Sequence, residues 1–78
     1  MRFLKVKLIG KDGNPGGFFW VNPRKVVGVM DAKVPGQLSG PAGEPIAEHK
    51  AALDLGDKII VVDALPRELV EMLELGLL

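Results

Sequence analysis

The chain has no cysteine and no tyrosine, and it has a single histidine, His49, and a single serine, Ser39. Without cysteine there are no disulfides and no thiolate metal sites. One histidine makes no metal centre unless several carboxylates converge on it, and no such cluster is visible, so neither a metal nor a cofactor is expected. Ser39 and His49 both fall in a stretch that reads as loop, where a nucleophile and base would lack rigid support. A solvated histidine is the ordinary explanation there. The glutamates of the C-terminal segment, Glu68, Glu71 and Glu74, read as a wet helix face rather than an acid–base pair. "GNPGG" (Asn14–Gly17) precedes a strand and lacks the Gly-Lys-Ser/Thr ending of a phosphate loop. No catalytic residue is assigned, and the expectation is a protein that is not an enzyme.

Long apolar runs are also missing. No stretch approaches the ~20 apolar residues of a membrane span. The N-terminal "MRFLKVKLIG" breaks its apolar positions with Lys5 and Lys7, unlike a signal peptide. The reading is a cytoplasmic protein without membrane insertion.

What is present is apolar surface. The 78 residues are 47% hydrophobic, and mean hydropathy is positive. So short a chain forms one domain, 1–78, and buries only about 60–65% of the surface its unfolded form exposes. Self-association is the remaining way to bury more. Net charge is zero, yet the charge is divided. Arg2, Lys5, Lys7, Lys11, Arg24, Lys25 and Lys33 dominate the first 33 residues, and the acidic side chains lie mainly after them. Such a split suits an anion-binding face or pairing within or between copies.

Alternation of apolar and polar residues over Arg2–Ile9 predicts a strand, with Leu4, Val6 and Leu8 on one face and Phe3, Lys5, Lys7 and Ile9 on the other. Gly10–Gly17 is a turn. Phe18–Val21 is a second strand, with Phe19 and Val21 on one face and Phe18 and Trp20 on the other. Asn22-Pro23 ends it. Arg24–Met30 reads as a third strand, with Gly28 at a bulge or close approach. Residues 31–50, with three prolines and three glycines, read as a long Gly/Pro-rich loop. Ala51–Leu55 and Lys58–Val62 form a hairpin about Gly56-Asp57, with the apolar Lys58–Val62 strand central or covered. Pro66–Gly76 is a helix, with Leu65, Leu69, Met72 and Leu73 as its apolar stripe. The fold class is α+β, mainly β: a small bent antiparallel sheet or partial barrel of about five short strands with one C-terminal helix.

Three segments carry a family resemblance. "LKVKLIGKDGNP", then "FWVNPRKVVGV" with its aromatic–aliphatic–Asn-Pro pattern (Trp20, Val21, Asn22, Pro23, Val26, Val29), then "ALDLGDKIIVVDALPRELVEML" (Gly56, Val61, Val62, Pro66, Glu68, Leu69) resemble the small FlbD-like, or swarming-motility, proteins of bacterial flagellar operons and their bacterial and phage relatives. Together they cover most of the chain outside 31–50. Two departures are plain: about twenty residues stand where the family has a short connection, and Leu65 stands where a serine usually caps the helix. The resemblance implies a non-enzymatic protein and, for relatives in motility operons, support of flagellar function.

Two uses of the surface stand open. If the first two strands pair, Phe3, Lys5, Lys7, Phe18 and Trp20 interleave on one face, and Arg24 and Lys25 extend it. That composition suits stacking of single-stranded nucleic acid. The other use, favoured by zero net charge and the acidic second half, is protein interaction. Phe18, Trp20, Leu77 and Leu78 would form an apolar patch closed by self-association, with basic strands meeting the acidic helix of a neighbour. The expectation is a homo-oligomeric or partner-binding accessory domain.

Overall fold

The computed structural model describes residues 2–10, 12–41, 43 and 45–77, and the side chains of all of these except 37–39 and 45–46. Five antiparallel strands form one open sheet: β1 (Leu4–Ile9), β2 (Pro15–Val21), β3 (Gly28–Ser39), β4 (Pro45–Asp54) and β5 (Ile59–Val62). Their spatial order is β2-β1-β5-β4-β3. A single α-helix follows, α1 (Pro66–Leu77). The apolar β5 is central, as its composition suggested.

Period-two alternation decides the core. Val6, Val21, Ala51, Leu53 and Val62 point to one side of the sheet, where Leu69 and Leu73 of α1 close over them. β1 meets β5 at one register pair, Leu8↔Val62, with Asp63 donating its N–H to the Lys7 carbonyl (2.8 Å). Beyond this point the two strands diverge and α1 fills the opening. The helix is started by Glu68, whose Oε1 accepts the Leu65 N–H (3.3 Å), the reach-back half of a capping box. Asp63 does not cap; its carboxylate takes Lys50 instead. At its other end α1 is pinned by the Arg2 N–H donating to the Gly76 carbonyl (2.8 Å). Gly76 is buried against Pro23, and a Cβ there would stand 2.9 Å from Pro23 Cγ.

Three expectations are corrected. First, residues 31–50 are not a loop. The described residues among them belong to the β3–β4 hairpin, with register from Gly28↔Asp54 to Pro35↔Ala47, then Ser39↔Pro45 after a shift. The prolines lie where a missing donor costs little. Pro45 opens β4 and Pro41 lies in the connecting turn. Pro35 is set by ladder parity. Leu55 donates to Lys58 across the Gly56-Asp57 turn (2.9 Å), so Leu53 and Ala51 direct their backbone groups at β5, and Asp54, Ala52 and Lys50 direct theirs at β3. The Asp54 carbonyl indeed accepts from Val27 (2.7 Å). Met30, Ala32 and Val34 therefore face β4, while Asp31, Lys33 and Pro35 turn their backbone groups to the free edge, the position that tolerates proline. The hairpin runs past the core and makes the molecule 46 × 20 × 18 Å.

Second, β3 begins at Gly28. Arg24 and Lys25 lie in a short 3-10 helix, Pro23–Lys25, started by Asn22 Oδ1 accepting the Arg24 N–H (3.0 Å). Nothing lies within 4 Å of a Cβ built on Gly28, so no close approach requires that glycine. Third, the helix buries the line Leu69, Leu73 and Gly76, and leaves Leu65 and Met72 exposed. A helix resting on a narrow concave sheet covers one stripe, and side chains flanking the stripe stay open.

The β1–β2 turn is tied by Asp12, whose carboxylate accepts from the Asn14 backbone (3.0 Å) and side chain (2.9 Å). These bonds draw the Asp12 carboxyl below the usual carboxylate range. The turn abuts the β3–β4 hairpin so closely that a Cβ on Gly13, which has φ +83°, would collide with the Pro35 carbonyl oxygen. Nearby, Lys50 Nζ bonds Asp63 (2.8 Å) and lies 3.7 Å from Glu48. The hydrogen bond to Lys50 lowers the Asp63 pKa, and the one to Asp63 raises that of Lys50.

Leu53→Ala, at 0% exposure, is expected to cost about 2–5 kcal/mol in urea unfolding; a value near zero would place the core elsewhere. Asp63 has a depressed folded pKa, so its contribution is full above the unfolded carboxylate range and lost as pH falls through the folded value. Lys50, with a raised folded pKa, contributes fully below the unfolded lysine range and loses this as pH rises through its folded value. The pair is partly exposed, so its worth is about 0.2–1 kcal/mol. Stability measured from neutral into acid should fall less steeply in Asp63→Asn than in the native chain.

Candidate interaction surface

The β1–β2 register places Lys5 opposite Trp20 and Lys7 opposite Phe18. Opposed residues share a face, so the interleaving read from alternation is present. Lys5 Nζ stands 4.3 Å from the Phe18 ring centre and 5.8 Å from that of Trp20, within cation–π range. Phe18 is nonetheless 61% exposed and Trp20 59%. Neither α1 nor any other described element covers them. Phe19, on the opposite face, packs on the core and carries Lys58 Nζ over its ring at 4.7 Å.

Two grooves flank the aromatic pair. One, of about 440 Å3, is lined by Phe3, Trp20 and Lys25 together with Asn22, Leu55 and Asp57 among others. The other, of about 340 Å3, holds Lys5, Lys7 and Phe18 against Glu68, Leu69 and Met72 of α1. Phe3 and Met72 meet again in a shallower depression with Leu75. An apolar belt therefore runs from Trp20 through Phe3 and Leu75 to Met72 and Phe18.

Of the residues singled out from sequence, Phe3, Lys5, Lys7, Phe18, Trp20 and Lys25 line this belt. Arg24 is exposed on the short 3-10 helix and is not among the residues lining the two grooves. Leu77 is 49% exposed at the end of α1 and lines neither groove; Leu78 lies outside the described residues. Met72, Leu75 and Glu68 were missed. The signal for them was a helix carrying more leucine and methionine than one stripe can bury.

Several charges around the belt form no ion pair among the described residues, although Lys7 lies near enough to Asp63 to help lower its pKa. Among the described residues, the ion pairs are His49–Asp31, Lys50–Glu48 and Lys50–Asp63. None involves Lys5, Lys7, Arg24 or Lys25, nor Glu71 or Glu74. His49, expected in a loop, sits on β4, with Nδ1 2.9 Å from Asp31 Oδ2 at an exposed site. Ser39 ends β3. Among the described residues no group of three or more His, Asp or Glu could hold a metal ion, and no helix is long and apolar enough to cross a membrane.

Comparison of the chain with protein-family models, curated proteins and solved structures finds no match. The class is therefore stated from fold and surface: a small α+β, mainly β domain with an exposed aromatic–basic belt beside its C-terminal helix.

Because Phe18 and Trp20 lie outside the core, Phe18→Ala and Trp20→Ala should each change unfolding free energy by no more than about 0.5 kcal/mol when measured at a dilution that keeps the chain monomeric. Losses of several kcal/mol at that dilution would mean that the rings are buried within the monomer.

Proposed function

We propose that the protein is a non-enzymatic interaction module that self-associates through the aromatic–basic belt and so serves as an accessory or scaffolding component of a larger assembly. The observation that carries the reading is the exposure of Phe18 and Trp20 beside cations that have no ion-pair partner among the described residues. Exposed apolar patches rimmed by polar side chains mark interaction surfaces. The occupant is a second copy, because the chain carries the complementary surface. The outer side of α1 combines acidic Glu71 and Glu74 with exposed Val70 and Leu77. Lys5, Lys7, Arg24 and Lys25 of one copy then face the glutamates of the next, and the rings of Phe18 and Trp20 cover its leucine and valine. Aromatic anchors inside a charged rim are the usual anatomy of such contacts. The FlbD-like resemblance points the same way, towards a non-enzymatic accessory protein, with support of motility as the role its relatives have in flagellar operons.

Light scattering over a dilution series is expected to show species larger than the monomer, weakening as salt is raised. Lys5→Glu/Lys7→Glu should lower their mass, and adding Glu71→Lys/Glu74→Lys should restore it. A monomer at every concentration overturns the reading. If Trp20 fluorescence is instead quenched by a single-stranded oligonucleotide at low salt, and recovers as salt is raised, the belt is a nucleic-acid platform.

A further inference from the structure

We propose that β3 is a homotypic pairing edge, along which two copies join their sheets antiparallel about a two-fold axis at Ala32. The proposal rests on the reading of the protein as self-associating, but on a different surface from the aromatic belt. β3 is the outermost strand on its side of the sheet, twelve residues long, and ladder parity turns the backbone groups of Asp31 and Lys33 outward. Among the described residues no other hydrogen bond occupies them. The opposite edge, β2, starts with Pro15, Gly16 and Gly17, which weakens it as a pairing edge.

The side-chain pattern of β3 complements its own antiparallel image. With Ala32 on the axis, Asp31 falls opposite Lys33 of the second copy, and Lys33 opposite its Asp31. One step out, Met30 meets Val34. Opposite charges therefore face each other twice and apolar residues face apolar ones, the pairings that stabilise neighbouring strands. A lone lysine would blunt an edge; an Asp and a Lys two residues apart do not, because in this register each supplies the other's counter-charge. The backbone agrees with the register. Asp31 and Lys33 both point outward, so they exchange N–H···O=C bonds reciprocally across the axis. The pairing stops short of Pro35, whose carbonyl lies against Gly13 of its own β1–β2 turn. The Asp31 side chain is 55% exposed, and only its Oδ2 is engaged, by His49, so Oδ1 is open to the incoming lysine. Two copies joined in this way carry their aromatic belts at opposite ends of a continuous sheet, which makes the pair a bivalent unit.

The test is sedimentation velocity in a Trp20→Glu background, which disables the belt, with circular dichroism confirming the fold of each variant. The background protein is expected to be a dimer. Lys33→Asp should raise its dissociation constant about tenfold or more, because it places Asp opposite Asp twice. Asp31→Lys/Lys33→Asp should bring it back. Lys33→Pro, which removes only a free-edge donor, should also dissociate the dimer while the fold persists. A Trp20→Glu protein that is monomeric throughout, or a Lys33→Asp variant with an unchanged constant, overturns edge pairing. If Lys33→Asp alone yields monomers and Trp20→Glu changes nothing in the otherwise native chain, edge pairing stands and the belt reading falls.

Discussion

Leu53 on the sheet and Leu69 on α1 are both fully buried in one cluster with Val6, Val21, Ala51, Val62 and Leu73. This seam is the contact on which the rest of the molecule depends. The chain is short, has no disulfide and has little surface to spare, so the apolar area removed here is its main source of stability. α1 reaches the seam because β1 and β5 stay paired only around Leu8↔Val62 and then part. The helix is held by Glu68 at its start and by Arg2 and Pro23 at its end. Remove the seam and neither the sheet's bend nor the helix has a partner.

A seam this narrow also produces the surface. α1 buries one line of side chains, so Met72 and Leu75 on its flanks remain in water. The second strand buries Val21 and half-buries Phe19, so period two sends Phe18 and Trp20 outward. The same geometry that completes the core therefore leaves an aromatic belt uncovered, with Lys5 lying over its rings as the nearest polar cover. The charges on either side of the belt are sorted by element, cations on β1 and the short 3-10 helix, carboxylates on the outer side of α1.

The β3–β4 hairpin shows how local composition can mislead. Three prolines and three glycines over residues 31–50 carry the signature of an unstructured connection, and no apolar period stands out. The strands form because pairing with a neighbour supplies what local propensity does not. Each proline lies at an edge, a strand start or a turn, where its missing N–H leaves no ladder bond unmade. The Gly13–Pro35 contact then fastens the far part of the hairpin to the β1–β2 turn. None of these conditions can be read without knowing which strand lies at the edge.

Alternation in the sequence determined which residues of β1 and β2 share a face. Proline and glycine punctuation determined where β2 and α1 begin and end, to within a few residues. The interleaving of Phe18 and Trp20 with Lys5 and Lys7 follows from those two patterns, because side-chain direction in a strand is local chemistry. Tertiary structure alone decided that Phe18 and Trp20 are uncovered, that Met72 and Leu75 join them, that Arg24 and Lys25 lie in a 3-10 turn, and that residues 31–50 are mostly strand. Each of these turns on what lies on the far side of a side chain or a backbone amide. That is set by strand order and by the line on which the helix rests, both made by contacts between residues distant in the chain.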